Sequence, residues 1–171
     1  MAGYLLLDTS ILCVYLRLPR FERCGPAEDE WDYQRVAQKI DTERQAGTSL
    51  VLPLATIIET GNHISQIKGH DILPFAQAFA DILRDSVNEV TPWIAFSEQH
   101  NLWTDAELLH YAEHWPGQAV QKISLGDASI VRAANYLNQL DNVEIFTGDR
   151  GLWSLNPAPL SPRQRRRSNR R

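Results

Sequence analysis

Residues Tyr4-Leu5-Leu6-Leu7 form a short apolar run that stops at an acid and two hydroxyls, Asp8-Thr9-Ser10. This junction constrains the fold more than any other stretch. A continuous apolar run of this length suits a strand buried on both faces, as in a parallel sheet. An ionised carboxylate is too costly to bury unpaired, so Asp8 is expected at the strand's mouth. In open α/β sheets the carboxyl ends of the strands are where ligands bind. The informative question is which other acids reach the same edge.

Similar runs recur along the chain. Ser49-Leu50-Val51-Leu52 reads as a second buried strand, closed by Pro53, and Val143-Glu144-Ile145-Phe146-Thr147 as another. A short strand is also expected over Val87–Thr91. Helical patterns fill the intervals. A helix with Thr9 or Ser10 as its cap runs toward Pro19, and others span about 31–46, stopped by Gly47, and 55–68, stopped by Gly69. From Asp71 on, Ile72, Phe75, Ala76, Phe79, Ile82 and Leu83 keep helical spacing, with Pro74 tolerated in the first turn. Arg20–Glu30 reads as a loop, and within 92–122 one helix is expected from Thr104 to His114, ended by Trp115-Pro116-Gly117. Ile123-Ser124-Leu125-Gly126-Asp127 opens a further helix. Strands alternating with helices imply right-handed crossovers and a three-layer α/β/α sandwich around a mainly parallel sheet. The expected organisation is one domain over 1–156, with an insert near 92–122, and a disordered Arg-rich tail over 157–171.

Charge is segregated. Six of the 17 Lys and Arg residues lie in the tail from Arg163, which leaves 11 basic against 21 acidic groups in the rest, a net of −10. An acidic body argues against simple coating of nucleic acid and suits a protein that gathers acids at one site. Cys13 and Cys24 form no C-x-x-C pair and read as small apolar filler in a reducing, cytoplasmic setting. No apolar run approaches a membrane span, and no signal peptide is indicated.

Acids recur at corresponding places. Asp8 ends the first strand, Glu59 follows the second by a turn or two of helix, Asp127 opens a helix, and Asp149 follows the last strand by a short turn. With parallel strands all four point into one pocket. Clustered carboxylates repel, by about 1 kcal/mol per pair at ~4 Å in water and about 4 at an effective dielectric of 20. They are tolerated when protonated or when they hold a cation, and an all-oxygen donor set fits Mg²⁺ or Mn²⁺. Taken singly, Asp127 also reads as a helix cap, Asp149 as a turn residue and Glu59 as a solvated helix residue.

Leu7-Asp8-Thr9-Ser10, Ile58-Glu59, Ser124-Leu125-Gly126-Asp127-Ala128-Ser129-Ile130 and Thr147-Gly148-Asp149 together resemble the PIN domain family, especially its VapC-type toxin ribonucleases. The likeness covers about residues 4–153. It implies a Mg²⁺- or Mn²⁺-dependent endoribonuclease leaving a 5′-phosphate and a 3′-hydroxyl, commonly a homodimer held in check by an antitoxin or another regulatory protein. By that resemblance Asp8, Glu59, Asp127 and Asp149 are the catalytic and metal-binding quartet, with Thr9, Ser10 and Thr147 steadying them by hydrogen bonds. The 92–122 segment is longer than in compact toxins of this kind, and the arginine tail is additional.

Other signals compete. Arg17, Arg20, Arg23 and Arg150 are expected near the mouth, where they could position RNA phosphates, and the tail could grip phosphates too. A PIN-like scaffold that binds RNA or protein without catalysis is the main alternative. His110-Tyr111-Ala112-Glu113-His114 matches the H-x-x-E-H pattern of inverted zinc peptidases, with no third ligand in view. Trp93, Trp103 and Trp115 read as base-stacking platforms or, more simply, as packing.

Overall fold

A computed structural model describes residues 3–95 and 97–160; the arginine-rich residues 161–171 lie outside the described residues. The main sheet has four strands, β1 (Tyr4–Leu7), β4 (Ser49–Leu52), β5 (Trp93–Ala95) and β6 (Val143–Phe146), all parallel in the order β5-β4-β1-β6. Leu5 pairs with Leu50 on one side and Glu144 on the other, which makes β1 a central strand. Helices α1 (Thr9–Tyr15), α2 (Tyr33–Gln45), α3 (Leu54–Ser65), α4 (Leu73–Val87), α5 (Asp105–Val120), α6 (Leu125–Leu137) and α7 (Arg150–Trp153) complete the chain.

Side-chain alternation along β1 creates the three layers. Leu5 and Leu7 face a core with Ile11, Leu12, Val36, Ile40 and Phe79 from the helices of one layer. Leu6, with Val51 and Ile145, faces Ile130, Ala133, Ala134 and Leu137 of α6 in the other. A strand covered on both faces has no polar position to spare until it ends. That accounts for the unbroken Leu5-Leu6-Leu7 run, each residue no more than 1% exposed.

Three expectations are corrected. The strand expected over Val87–Thr91 lies at Trp93–Ala95, because α4 continues through Val87 and Glu89, at φ +53°, ends it. The loop expected at 20–30 contains strand β2 (Arg23–Cys24), which pairs antiparallel with β3 (Trp31–Asp32). Two-residue strands are too short to show a period. Helix α5 does not stop before Trp115-Pro116-Gly117 but runs to Val120 with Pro116 inside it. The Trp115 indole donates to the Ile123 carbonyl at 3.2 Å, so this end of α5 is tied to the entry of α6.

Residues 157–160 run along the rim where β6 begins. Asn138 Nδ2 donates to the Ala158 carbonyl at 3.1 Å, and the Leu160 amide to Asn142 Oδ1 at 3.0 Å. Among the described residues no helix is long and apolar enough to cross a membrane.

Candidate functional site

All four strands of the main sheet end at one edge, and β1 delivers Asp8 there. The Asp8 amide still donates to the Phe146 carbonyl at 3.0 Å, so its backbone belongs to the sheet while its side chain projects past it. Asp8 is only 7% exposed. Its Oδ1 accepts from the Thr9 amide at 2.7 Å, which makes Asp8 the cap of α1. Its Oδ2 accepts from the hydroxyls of Ser10 at 2.7 Å and Thr147 at 2.8 Å. Those hydroxyls are themselves fixed: Ser10 Oγ accepts from the Gly148 amide at 3.1 Å, and Thr147 Oγ1 from the Asp149 amide at 2.9 Å. Each hydroxyl oxygen accepts a hydrogen bond from a backbone amide and donates its own O–H to the carboxylate, so the network is polarised in one direction.

Burial pushes the Asp8 carboxyl above its usual range. The bonds from Ser10, Thr147 and the Thr9 amide pull the other way, and the charge of Asp127 adds repulsion. No arginine, lysine or histidine forms an ion pair with Asp8 among the described residues. A carboxylate offers about four acceptor positions, and three are filled, which leaves room for one further electrophilic partner.

Glu59 is half-buried in the second turn of α3 and reaches the same place. Its Oε2 accepts from Thr9 Oγ1 at 2.9 Å, so one hydroxyl spans the gap between the first two acids. Its Oε1 lies against the backbone of α6, where a Cβ added to Gly126 would collide with it. Glycine at 126 is thus the residue that lets this carboxylate lie on the helix.

Asp127 is held by its own helix. Its Oδ2 accepts from the Ser124 amide at 3.0 Å and hydroxyl at 2.8 Å, while its amide donates back to Ser124 Oγ at 3.0 Å, a capping box. Oδ1 makes no hydrogen bond among the described residues. Asp149 is exposed and caps α7, with Oδ1 accepting from the Leu152 amide at 2.9 Å. It joins the site only through its backbone bond to Thr147. Asp8, Glu59 and Asp127 therefore gather around the end of β1, and Asp149 stands at the rim. Among the described residues no three Asp, Glu, His or Cys side chains enclose an ion by themselves. The donors present are carboxylate and hydroxyl oxygens, the set taken by a hard cation that keeps several of its own waters.

The arginines divide. Arg23 pairs with Glu30 at 2.7 Å and Arg150 with Glu28, on the hairpin and turn beside Thr147–Asp149. Arg17 lies beyond the opposite end of α1 from Asp8, with its guanidinium 3.6 Å from the centre of the Tyr33 ring. Arg20, three residues on, has its amide bound to Glu22. Arg17 is therefore not at the mouth.

His110 and His114 stack at 4.1 Å on α5, and His114 Nδ1 is 2.9 Å from the His110 carbonyl oxygen. No third ligand joins them among the described residues. The tryptophans pack: Trp93 is buried beside Tyr15, Trp103 lies against Tyr111, and Trp115 binds Ile123.

Three contributors escaped sequence reasoning. Ser124 carries a signal, the S-x-x-D spacing to Asp127 that marks a capping box. Gly126 and Gly148 carry none in isolation, because each is required by a residue distant in sequence. A Cβ at Gly148 would meet Cys24 Sγ at 2.7 Å and the Gly25 amide nitrogen at 2.8 Å, so the β2–β3 hairpin supports the turn that holds Asp8.

Comparison of the chain with known protein families, with curated proteins and with solved structures gave no match.

Proposed function

We propose that this chain is a divalent-metal-dependent endoribonuclease that hydrolyses RNA phosphodiester bonds, of the PIN type that its motif set resembles. One observation carries the reading. Asp8 is a buried carboxylate at the mouth of a central parallel strand, aimed by three hydrogen bonds, with two further acids nearby and no cationic side chain paired with it among the described residues. Purely structural acids are seldom built this way, because removing an unpaired charge from water is costly.

Asp8, Glu59 and Asp127 would hold a Mg²⁺ or Mn²⁺ ion, with Asp149 at the outer rim. Such an ion, when bound, supplies an acidified and oriented water and offsets charge on the phosphoryl oxygens. The chain's own residues do the rest. Thr9, Ser10 and Thr147 keep the Asp8 and Glu59 carboxylates oriented without spending a charge. Arg23 and Arg150 flank the site in exposed ion pairs, which contribute little stability, so each can exchange its glutamate for a substrate phosphate. Action as a toxin, control by an antitoxin, homodimer formation and a cytoplasmic setting rest on the resemblance.

A second reading, a PIN-like module that binds RNA or protein without cleaving, is favoured by the local work that Asp127 and Asp149 already do as helix caps. One experiment separates the two. Labelled tRNA, rRNA and single-stranded DNA are incubated with wild type and Asp8→Asn protein in Mg²⁺, Mn²⁺ or chelator. The nuclease reading expects metal-dependent cleavage of RNA that Asp8→Asn abolishes. Binding without cleavage by both proteins supports the second reading, and cleavage indifferent to the substitution removes the metal site.

A further inference from the structure

A cavity of about 410 Å³ opens where the far end of α1 meets α2 and the start of α4. Its walls include Arg17, Phe21, Glu22, Tyr33, His70 and Phe75. It shares no residue with the acidic site.

Two features mark its chemistry. The first is a guanidinium, Arg17, that no carboxylate pairs with among the described residues, although Glu22 lies in the same wall. In a body whose net charge is −10 outside the tail, seven of the other arginine and lysine side chains form ion pairs, whereas Arg17 and Arg20 form none among the described residues. Both also hold positive φ, +54° and +73°, a region where glycine is the unstrained choice. Arg17 follows the cap of α1, and its amide closes the helix on the Val14 carbonyl at 3.0 Å. Glycine is the unstrained residue for ending a helix at such a position, and this chain carries an arginine there. The second feature is aromatic surface. The exposed Arg17 has its guanidinium carbon 3.6 Å from the Tyr33 ring centre, Tyr33 also stacks with Tyr15, and Phe21 makes an edge contact with His63 at 4.9 Å.

A guanidinium edge takes a phosphate, and aromatic faces take a base. The single acid in the wall, Glu22, accepts from the Arg20 amide at 3.3 Å and has acceptor capacity left for an exocyclic amine. The volume is in the range of small-ligand sites. We infer that this cavity binds one nucleotide of a single-stranded RNA, with its phosphate on Arg17 and its base against Phe21 and Phe75. The inference rests on the reading that the chain acts on RNA, and it adds a second anchoring point at the other end of α1, about 12 Å of helix rise from Asp8.

The test is binding without cleavage, so it does not depend on whether the acidic site is catalytic. Fluorescence anisotropy of a labelled single-stranded RNA is measured in chelator for wild type, Arg17→Gly and Phe21→Ala. An abasic strand of the same length and a polyglutamate peptide serve as competitors. Arg17→Gly relieves the positive-φ strain, so its melting temperature is not lowered, and any loss of binding is not a folding defect. The expected results are about tenfold or more weaker binding by Arg17→Gly, a salt dependence shallower by roughly 0.7 in log–log slope, weaker binding by Phe21→Ala, and poor competition by the abasic strand. Unchanged RNA affinity in a folded Arg17→Gly protein overturns the site. Equal competition by polyglutamate or by the abasic strand overturns the base contact. If RNA binds here but nothing is cleaved in Mg²⁺ or Mn²⁺, the nuclease reading fails and this site stands.

Discussion

Replacing Gly126 by alanine should separate the candidate centre from the stability of the fold. The added Cβ collides with Glu59 Oε1, the far end of a flexible side chain, rather than with backbone. Glu59 must swing away and give up the Thr9 hydroxyl, a charge-assisted bond worth about 1.5–3 kcal/mol. Against that, alanine is better than glycine within a helix by roughly 0.5–1 kcal/mol. The net is a loss of about 0.5–2.5 kcal/mol, which for a chain of this size lowers the melting temperature by no more than about 10 °C. If Glu59 belongs to the centre, its displacement by an ångström or so should reduce RNA cleavage by about 10²-fold and weaken Mn²⁺ binding, read by electron paramagnetic resonance. Unchanged cleavage and unchanged Mn²⁺ affinity would refute a role for Glu59 in the centre. A melting temperature lower by much more than 10 °C would show that the backbone of α6, not the end of Glu59, absorbed the collision.

Gly148→Ala should behave in the opposite way. Its Cβ would meet the Gly25 amide nitrogen at 2.8 Å and Cys24 Cβ at 3.0 Å, so the hairpin must move at a cost of about 1–3 kcal/mol, and thermal denaturation should show a clear loss of stability. Asp8→Asn should change how stability depends on pH in chelator. Burial raises the Asp8 pKa, so the folded state holds its proton more tightly than the unfolded chain does. That contribution is complete below the ordinary carboxylate pKa and is lost as pH rises through the raised value. The amide of the variant sets a donor against the Thr9 amide or the two hydroxyls, a cost that does not vary with pH, so the melting-temperature difference should move in favour of the variant from acid to neutral pH, and a difference constant with pH would contradict the buried-charge account. Burial pushes the Cys13 thiol up to about 12 and the Cys24 thiol up to about 11. Iodoacetamide at pH 8 should label neither in the folded protein on a timescale that labels both in denaturant, and rapid labelling of Cys13 would show that α1 opens locally.

The sequence by itself determined the frame of this protein. A strand buried on both faces must be apolar throughout, so Leu5-Leu6-Leu7 and Leu50-Val51-Leu52 declare themselves, and an acid directly after such a run can only stand at its mouth. Parallel strands then carry Asp8 and Thr147 to one edge, and Glu59 and Asp127 arrive there on helices that begin at it. Tertiary structure alone decided how these groups meet. The bond from Thr9 to Glu59, the bond from Thr147 to Asp8, and the need for glycine at 126 and 148 join residues from 50 to 139 positions apart. Local pattern carries no information about such distances. The same limit applies to α5, which runs through Pro116 to Val120 where local pattern predicts a stop. Arg17 was within reach of the sequence, since a helix that starts at Thr9 and runs toward Pro19 carries it about 12 Å of rise from Asp8; which side chains then surround it there, Tyr33 foremost, is set by the core on which the helix packs.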